Sequence, residues 1–148
     1  MFATQTGLSL SDIALLHSQL LDQGVLAAVS NDPLLRVYAH CSKQTGGEVA
    51  LAVLNLAKGN ATLDLPPSTE SWTAWILTAG ERIEGAPNPL QSRHAQLNGV
   101  QLELGEDGDV PPVLAAGVHG SAGSDELQFP PTSYGFITLH GVRAAACV

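Results

Sequence analysis

Cys41 and Cys147 are the only cysteines in the chain, and the second stands one residue from the carboxyl end. The thiolate is the reactive form of cysteine, so a thiol at a chain end is either exposed and oxidisable or tied into a bond. Two isolated cysteines allow a single intrachain pairing. A loop of about 100 residues closed in this way contributes roughly 4.7 kcal/mol in the chain-entropy picture. The alternative is two free thiols in a reducing compartment.

The five histidines, His17, His40, His94, His119 and His140, contain no HExxH motif and no i, i+4 pair. With two distant cysteines they make no metal-ligand cluster, and they read as surface or hydrogen-bonded histidines. Ser133 in TSYGF lacks the GxSxG strand-turn-helix setting of an activated serine. Carboxylates gather at Glu81 and Glu84, at Glu106, Asp107 and Asp109, and at Asp125 and Glu126. Two carboxylates astride a sugar ring can hydrolyse a glycosidic bond, one of them as an acid kept protonated by an apolar pocket. These acids fall in hydrophilic, glycine-rich stretches and read as solvated turn residues. No catalytic, metal or cofactor-binding residue is therefore assigned.

Asn60-Ala61-Thr62 is an N-glycosylation sequon in a turn between two predicted strands, where a glycan on Asn60 would project into solvent. Trp72 and Trp75 could offer a stacking platform to a sugar, as in a free-standing carbohydrate-binding or interaction module. Three residues apart in a strand they point to opposite faces, so at most one is open to solvent, and core packing is the favoured reading.

The backbone that must carry these groups is 148 residues long and 45% apolar, enough for one core. Fifteen glycines and nine prolines favour short strands joined by turns. The net charge is -8 and the six basic residues are scattered singly, so nucleic acid is excluded as a partner. No apolar run approaches the length of a membrane span, and no transmembrane segment is expected. The first residues, MFATQTGLSLSDIALLHSQLLDQGVL, lack a basic start and are interrupted by Asp12, His17 and Asp22, so they are not read as a signal peptide.

Ser11 as cap, Ile13, Leu16 and Leu20 on one face, and Gly24 as stop predict a helix over 11–24. Leu15 and Leu21 widen its apolar face, which implies a large packing partner. Strands are predicted over 34–41, 48–56, 61–65, 71–78, 100–104 and 134–142, with 61–65 pairing with 48–56 across the AKGN turn. In 100–104 the alternation sends Val100, Leu102 and Leu104 inward. Long irregular connections separate the later strands, and the spacing of seven or eight short strands argues for a mainly β fold, an antiparallel β-sandwich preceded by one helix.

Several stretches together resemble one family. LRVYAHCSK (35–43), GVLAAV (24–29), QLNGVQLEL (96–104), VPPVL (110–114) and FPPTSYGFITLHGVRAAACV (129–148) are similar to the carboxyl-terminal region of heparanase and the plant heparanase-like proteins. LRVYAHC, QLNG and the SYGF to AAC ending, in that order and at matching separations, are more specific than any one of them. The resemblance implies a retaining β-glucuronidase built of a (β/α)8 barrel and a carboxyl-terminal β-sandwich. Cys41 and Cys147 match the pair that forms the sandwich's disulfide, and Asn60 falls near a sequon of the family.

By the same resemblance, residues 11–33 are the last barrel helix and its linker, 34–148 are the sandwich, and 1–10 are an unmatched lead. The helix is then expected to pack on the barrel. The catalytic glutamates of the family lie upstream of everything in this chain, so it is expected to be a fragment or partial product, inactive alone. Its partner would be the missing barrel, its glycan substrate would be met only through that barrel, and the whole protein would work outside the cell, in a cell wall or in a lysosome-like or vacuole-like compartment.

Overall fold

A computed structural model describes residues 8–80, 92, 94–103, 112–123 and 126–148, with side chains considered from residue 13 onward. Helix α1 spans Leu8–Leu20. Ten strands follow among the described residues: β1 Leu21–Leu26, β2 Leu35–Ser42, β3 Glu48–Asn55, β4 Ala61–Thr62, β5 Ser71–Ala79, β6 Ala95–Leu97, β7 Val100–Gln101, β8 Val118–Ser121, β9 Gln128–Phe129 and β10 Ser133–Arg143. The pairings are antiparallel. An eight-stranded sheet runs β1-β2-β3-β10-β5-β6-β7, with β8 also on β5, and β4 and β9 form a separate two-stranded ribbon. The second layer of the expected sandwich is thus this short ribbon.

The sheet is buried on both faces, which is why EVALAVLN and SYGFITL read as nearly continuous apolar runs rather than strict alternations. On one face Leu35, Ala39, Val49, Leu51, Val53, Trp72, Ala74, Ile137 and Leu139 pack under Leu127 and Phe129 of the ribbon side. On the other, Ala50, Trp75, Leu77, Leu97 and Phe136 pack under Leu16 and Leu20 of α1 and Val113. Burying Leu16 and Leu20 in full contributes about 1.5–3 kcal/mol each. The wide apolar face of the helix therefore has its partner inside this chain, where the resemblance places it on a barrel.

The helix also ends earlier than Gly24. Its last carbonyls are taken by the β2–β3 turn: Lys43 N–H donates to Leu20 O at 2.9 Å, Lys43 Nζ to Ser18 O at 2.9 Å and Gln44 Nε2 to Gln19 O at 2.8 Å. A lysine at a helix C-terminus also opposes the negative end of the helix dipole. Residues 21–26 then turn into β1, paired with β2. Gly24 serves a close approach, since a Cβ there would stand 2.5 Å from Cys41 Sγ.

Two strand expectations are corrected. β4 pairs with β9 and not with β3, because both edges of β3 are already taken by β2 and β10. Val100 faces solvent although Leu102 is buried, because β7 is a two-residue edge strand that leaves the sheet after Gln101. β8 and β9 lie inside what reads as an irregular connection. β9 is only two residues long, and β8 does not alternate: VHGS carries no inward apolar pair, and it is held by the edge of β5.

Polar and small residues close the gaps that the strands leave. β5 pairs with β8 through Ala74 and with β6 from Leu77 onward, and Asn98 fills the break: its Oδ1 accepts Ile76 N–H at 2.9 Å and its Nδ2 donates to Ala74 O at 3.0 Å and Ala116 O at 2.8 Å. Asn98 (φ 50°) and Gly99 (φ 81°) form the left-handed turn that a two-residue hairpin requires, which gives the QLNG stretch its structural reason. Gly135 leaves a dent in β10 into which Phe129 fits, a Cβ there standing 3.2 Å from the Phe129 ring and 2.5 Å from Trp75 O.

Candidate functional site

The two cysteines meet at one corner of the sheet. Cys41 and Cys147, 106 residues apart, are joined by a disulfide with Cα atoms 5.3 Å apart. The residues after β10 fold back over the β2–β3 turn, with Ala144 N–H donating to Gly47 O at 3.0 Å and Gly47 N–H to Cys147 O at 3.2 Å. The same turn caps α1, so helix end, first strands and chain end share one junction.

Beside that corner the helix-bearing face carries the densest polar chemistry among the described residues. His140 on β10 places Nδ1 3.1 Å from Glu48 Oε2 on β3 and Nε2 3.0 Å from the Thr73 hydroxyl on β5. The same hydroxyl lies 2.8 Å from Nδ1 of His119 on β8. Strand register explains the meeting: Thr73 stands opposite His119 on one side and Thr138 on the other, with His140 one inward position further along β10. Carboxylate, imidazole and hydroxyl in this order are the groups of a nucleophilic triad. Here Thr73 is buried and its oxygen is already shared by a second imidazole, so the arrangement leaves no approach for a substrate.

The other candidates resolve one by one. Asn60 is exposed in the turn between β3 and β4, and Thr62 beside it is exposed too. Asn55, just before that turn, is buried and organises it: Nδ2 donates to the carbonyls of Gly59, Phe129 and Pro130 at 2.9, 3.0 and 2.8 Å, while Oδ1 accepts Ala57 N–H at 3.0 Å. Trp72 and Trp75 are each 6% exposed and lie on opposite faces, so neither ring is open for sugar stacking. Ser133 is buried and donates to Pro130 O at 2.6 Å. His17 packs edge-on against Phe136 and His40, and His40 Nδ1–H donates to Asp22 O at 3.2 Å.

Glu126 is exposed and accepts from Gln128 Nε2 at 2.9 Å, whereas Glu81, Glu84, Glu106, Asp107, Asp109 and Asp125 lie outside the described residues. Among the described residues no group of three or more His, Cys, Asp or Glu is placed to hold a metal, and no helix is long and apolar enough to cross a membrane. The Glu48–His140–Thr73–His119 cluster has no signature in the sequence, because its members come from four strands and alternate with apolar neighbours.

No family model matches the chain. Heparanase of Gallus gallus is 30% identical over 148 residues, covering 95% of this chain and 26% of its own length. Heparanase-like protein 1 of Arabidopsis thaliana is 32% identical, covering 90% of this chain and 29% of its own length. Inactive heparanase-2 of Mus musculus is 28% identical over 119 residues, covering 76% of this chain and 19% of its own length. Over nearly all of its length the chain is a relative of the heparanases and heparanase-like proteins, and it spans about a quarter of theirs.

Proposed function

We propose that the chain is the non-catalytic, carboxyl-terminal β domain of a heparanase-type retaining glycoside hydrolase, supporting a catalytic (β/α)8 barrel. The observation that carries this reading is the extent of the match, nearly all of this chain against about a quarter of its relatives. A protein whose name marks it as inactive aligns with 76% of the chain, which fits a stretch kept with or without activity. The whole protein would cleave β-glucuronosyl linkages in uronic-acid-containing glycans by double displacement through a glycosyl-enzyme, with both glutamates on the barrel. It would act outside the cell, in a cell wall or in a lysosome-like or vacuole-like compartment, where a disulfide and a glycan on Asn60 are at home.

A supporting domain needs a docking surface. On the helix-bearing face α1 leaves Val25, 72% exposed, and Tyr38, 53% exposed, with half-buried Leu54 and Tyr134 in a further row of the same face, apolar surface that a barrel would cover. The purified chain is expected to give no turnover of an aryl β-glucuronide. Turnover abolished by one substitution within this chain would overturn the supporting role.

A further inference from the structure

We propose that His119, Thr73, His140 and Glu48 form a proton relay whose hydrogen bonds reverse direction when His140 is protonated, with His119 as the inlet. This goes beyond the supporting role above and does not rest on it. The relay follows from donor and acceptor inventory applied to three distances. An ionised Glu48 only accepts, so at 3.1 Å His140 carries a proton on Nδ1. In neutral His140 Nε2 is then bare, and the Thr73 hydroxyl, 3.0 Å away, donates to it. A hydroxyl has one proton, so Thr73 Oγ1 accepts from His119 Nδ1–H at 2.8 Å. Every bond points from His119 toward Glu48, and His119 is held in its Nδ1–H tautomer with Nε2 bare.

Both ring nitrogens of His140 are thereby engaged, while the His119 ring is exposed. A proton from a solvent acid adds to His119 Nε2. The Nδ1–H bond of His119 breaks as an O–H bond forms on Thr73, and the former Thr73 proton forms an N–H bond at His140 Nε2. No electrons change hands. One proton has been taken up, the imidazolium sits against Glu48, and His119 is left neutral with its proton on Nε2.

The groups facing His140 from the packed strands are Glu48 on β3, Ser71 and Thr73 on β5 and His119 on β8. Glu70 lies beside Gly141 next in sequence, and the Arg143 guanidinium lies beside Gly47. His40, beyond Thr138 and Ala50 in the cross-strand row of Thr73, bonds to the Asp22 carbonyl and stands outside the relay.

Side-chain 15N–1H correlation spectra of the 148-residue chain, taken across the histidine titration, read the tautomers directly. The expected result is that His119 carries its proton on Nδ1 at high pH and moves it to Nε2 in step with double protonation of His140. Thr73→Val should abolish the step and leave the neutral His119 ring mainly as the Nε2–H form. Thr73→Ser, which keeps the hydroxyl, should retain it even if the valine variant fails to fold. An Nε2–H tautomer of His119 at high pH in the unaltered chain, or no tautomer change as His140 takes up its proton, overturns the proposal.

Discussion

The two faces of the central sheet are built differently. The ribbon-bearing face is apolar over most of its length, with rows such as Ala39–Leu51–Ile137–Ala74 crossing four strands without a polar side chain. Only its last row brings in Asn55 and Ser133, which bond to carbonyls at Phe129 and Pro130. The helix-bearing face is zoned along the strands. Its first zone holds Glu48, His140, Thr73 and His119, its middle row runs from Trp75 and Phe136 under α1 out to exposed Tyr38, and its far row, through Leu54 and Tyr134, is only partly covered. One face is closed by the chain's own short ribbon, and the other combines core packing under α1 with exposed apolar side chains. The polar cluster and the exposed apolar side chains Val25 and Tyr38 therefore share the helix-bearing face, while the ribbon face is mostly core.

The sharpest test of that contrast is to empty each face in turn. Phe129 is fully buried in the dent at Gly135 and is the main plug of the ribbon face. Phe129→Ala is expected to cost about 3–5 kcal/mol in urea unfolding, since the cavity is lined by rigid sheet on one side. Leu20→Ala under the helix is expected to fall at or below this, at about 2–5 kcal/mol, because the end of α1 can settle toward Phe136. A larger loss at Leu20 than at Phe129 would mean that the helix, and not the ribbon, is the main closure of the core.

What the sequence discloses and what it hides divides along the same faces. The mainly β class, the antiparallel arrangement and the opposite-facing tryptophans are legible because alternation and turn residues act within one strand. The destination of α1 is not, because Ile13, Leu16 and Leu20 mark an apolar stripe without naming what it meets. β4 reads as the neighbour of β3 in sequence, yet β10 takes that edge from nearly eighty residues further on. β8 is legible only from β5, which supplies the bonds that its own VHGS cannot call for. The histidine relay is hidden for the same reason, as Thr73 lies 46 residues from His119 and 67 from His140.

The disulfide stands at the rim where the faces meet, so its removal asks whether they are coupled. Cys41 belongs to the ribbon-face row with Val49, Leu139 and Trp72, while the turn it anchors caps the helix of the other face. Replacing both cysteines with serine is expected to cost about 2–5 kcal/mol, seen as a lower urea midpoint. Hydrogen exchange should then quicken at the Lys43 amide and in the last turn of α1 as well as around Cys147. Faster exchange at the chain end alone would show that the junction does not link the faces. Two free thiols by non-reducing mass spectrometry, in protein made in an oxidising compartment, would contradict the pairing itself.

The smallest change in stability is expected at the exposed apolar side chains of the helix face, and there the smallness is the informative part. Val25 and Tyr38 are more than half exposed, so Val25→Ser with Tyr38→Ser removes little buried area and should alter stability by no more than about 0.5 kcal/mol at each site. If these two side chains belong to open apolar surface awaiting a partner, a hydrophobic dye such as ANS should bind the unaltered chain, and the double variant should lose most of that fluorescence. The ribbon face offers the comparison, since its core side chains are buried and the apolar groups at its margin, such as Val37 and Ile76, are only partly open. Dye binding unchanged by the two serines would place the open surface elsewhere, and a stability loss of several kcal/mol would show that Val25 and Tyr38 already have partners within the chain. Fluorescence lost at nearly constant stability is the outcome that separates a surface kept for another domain from one that merely completes this one.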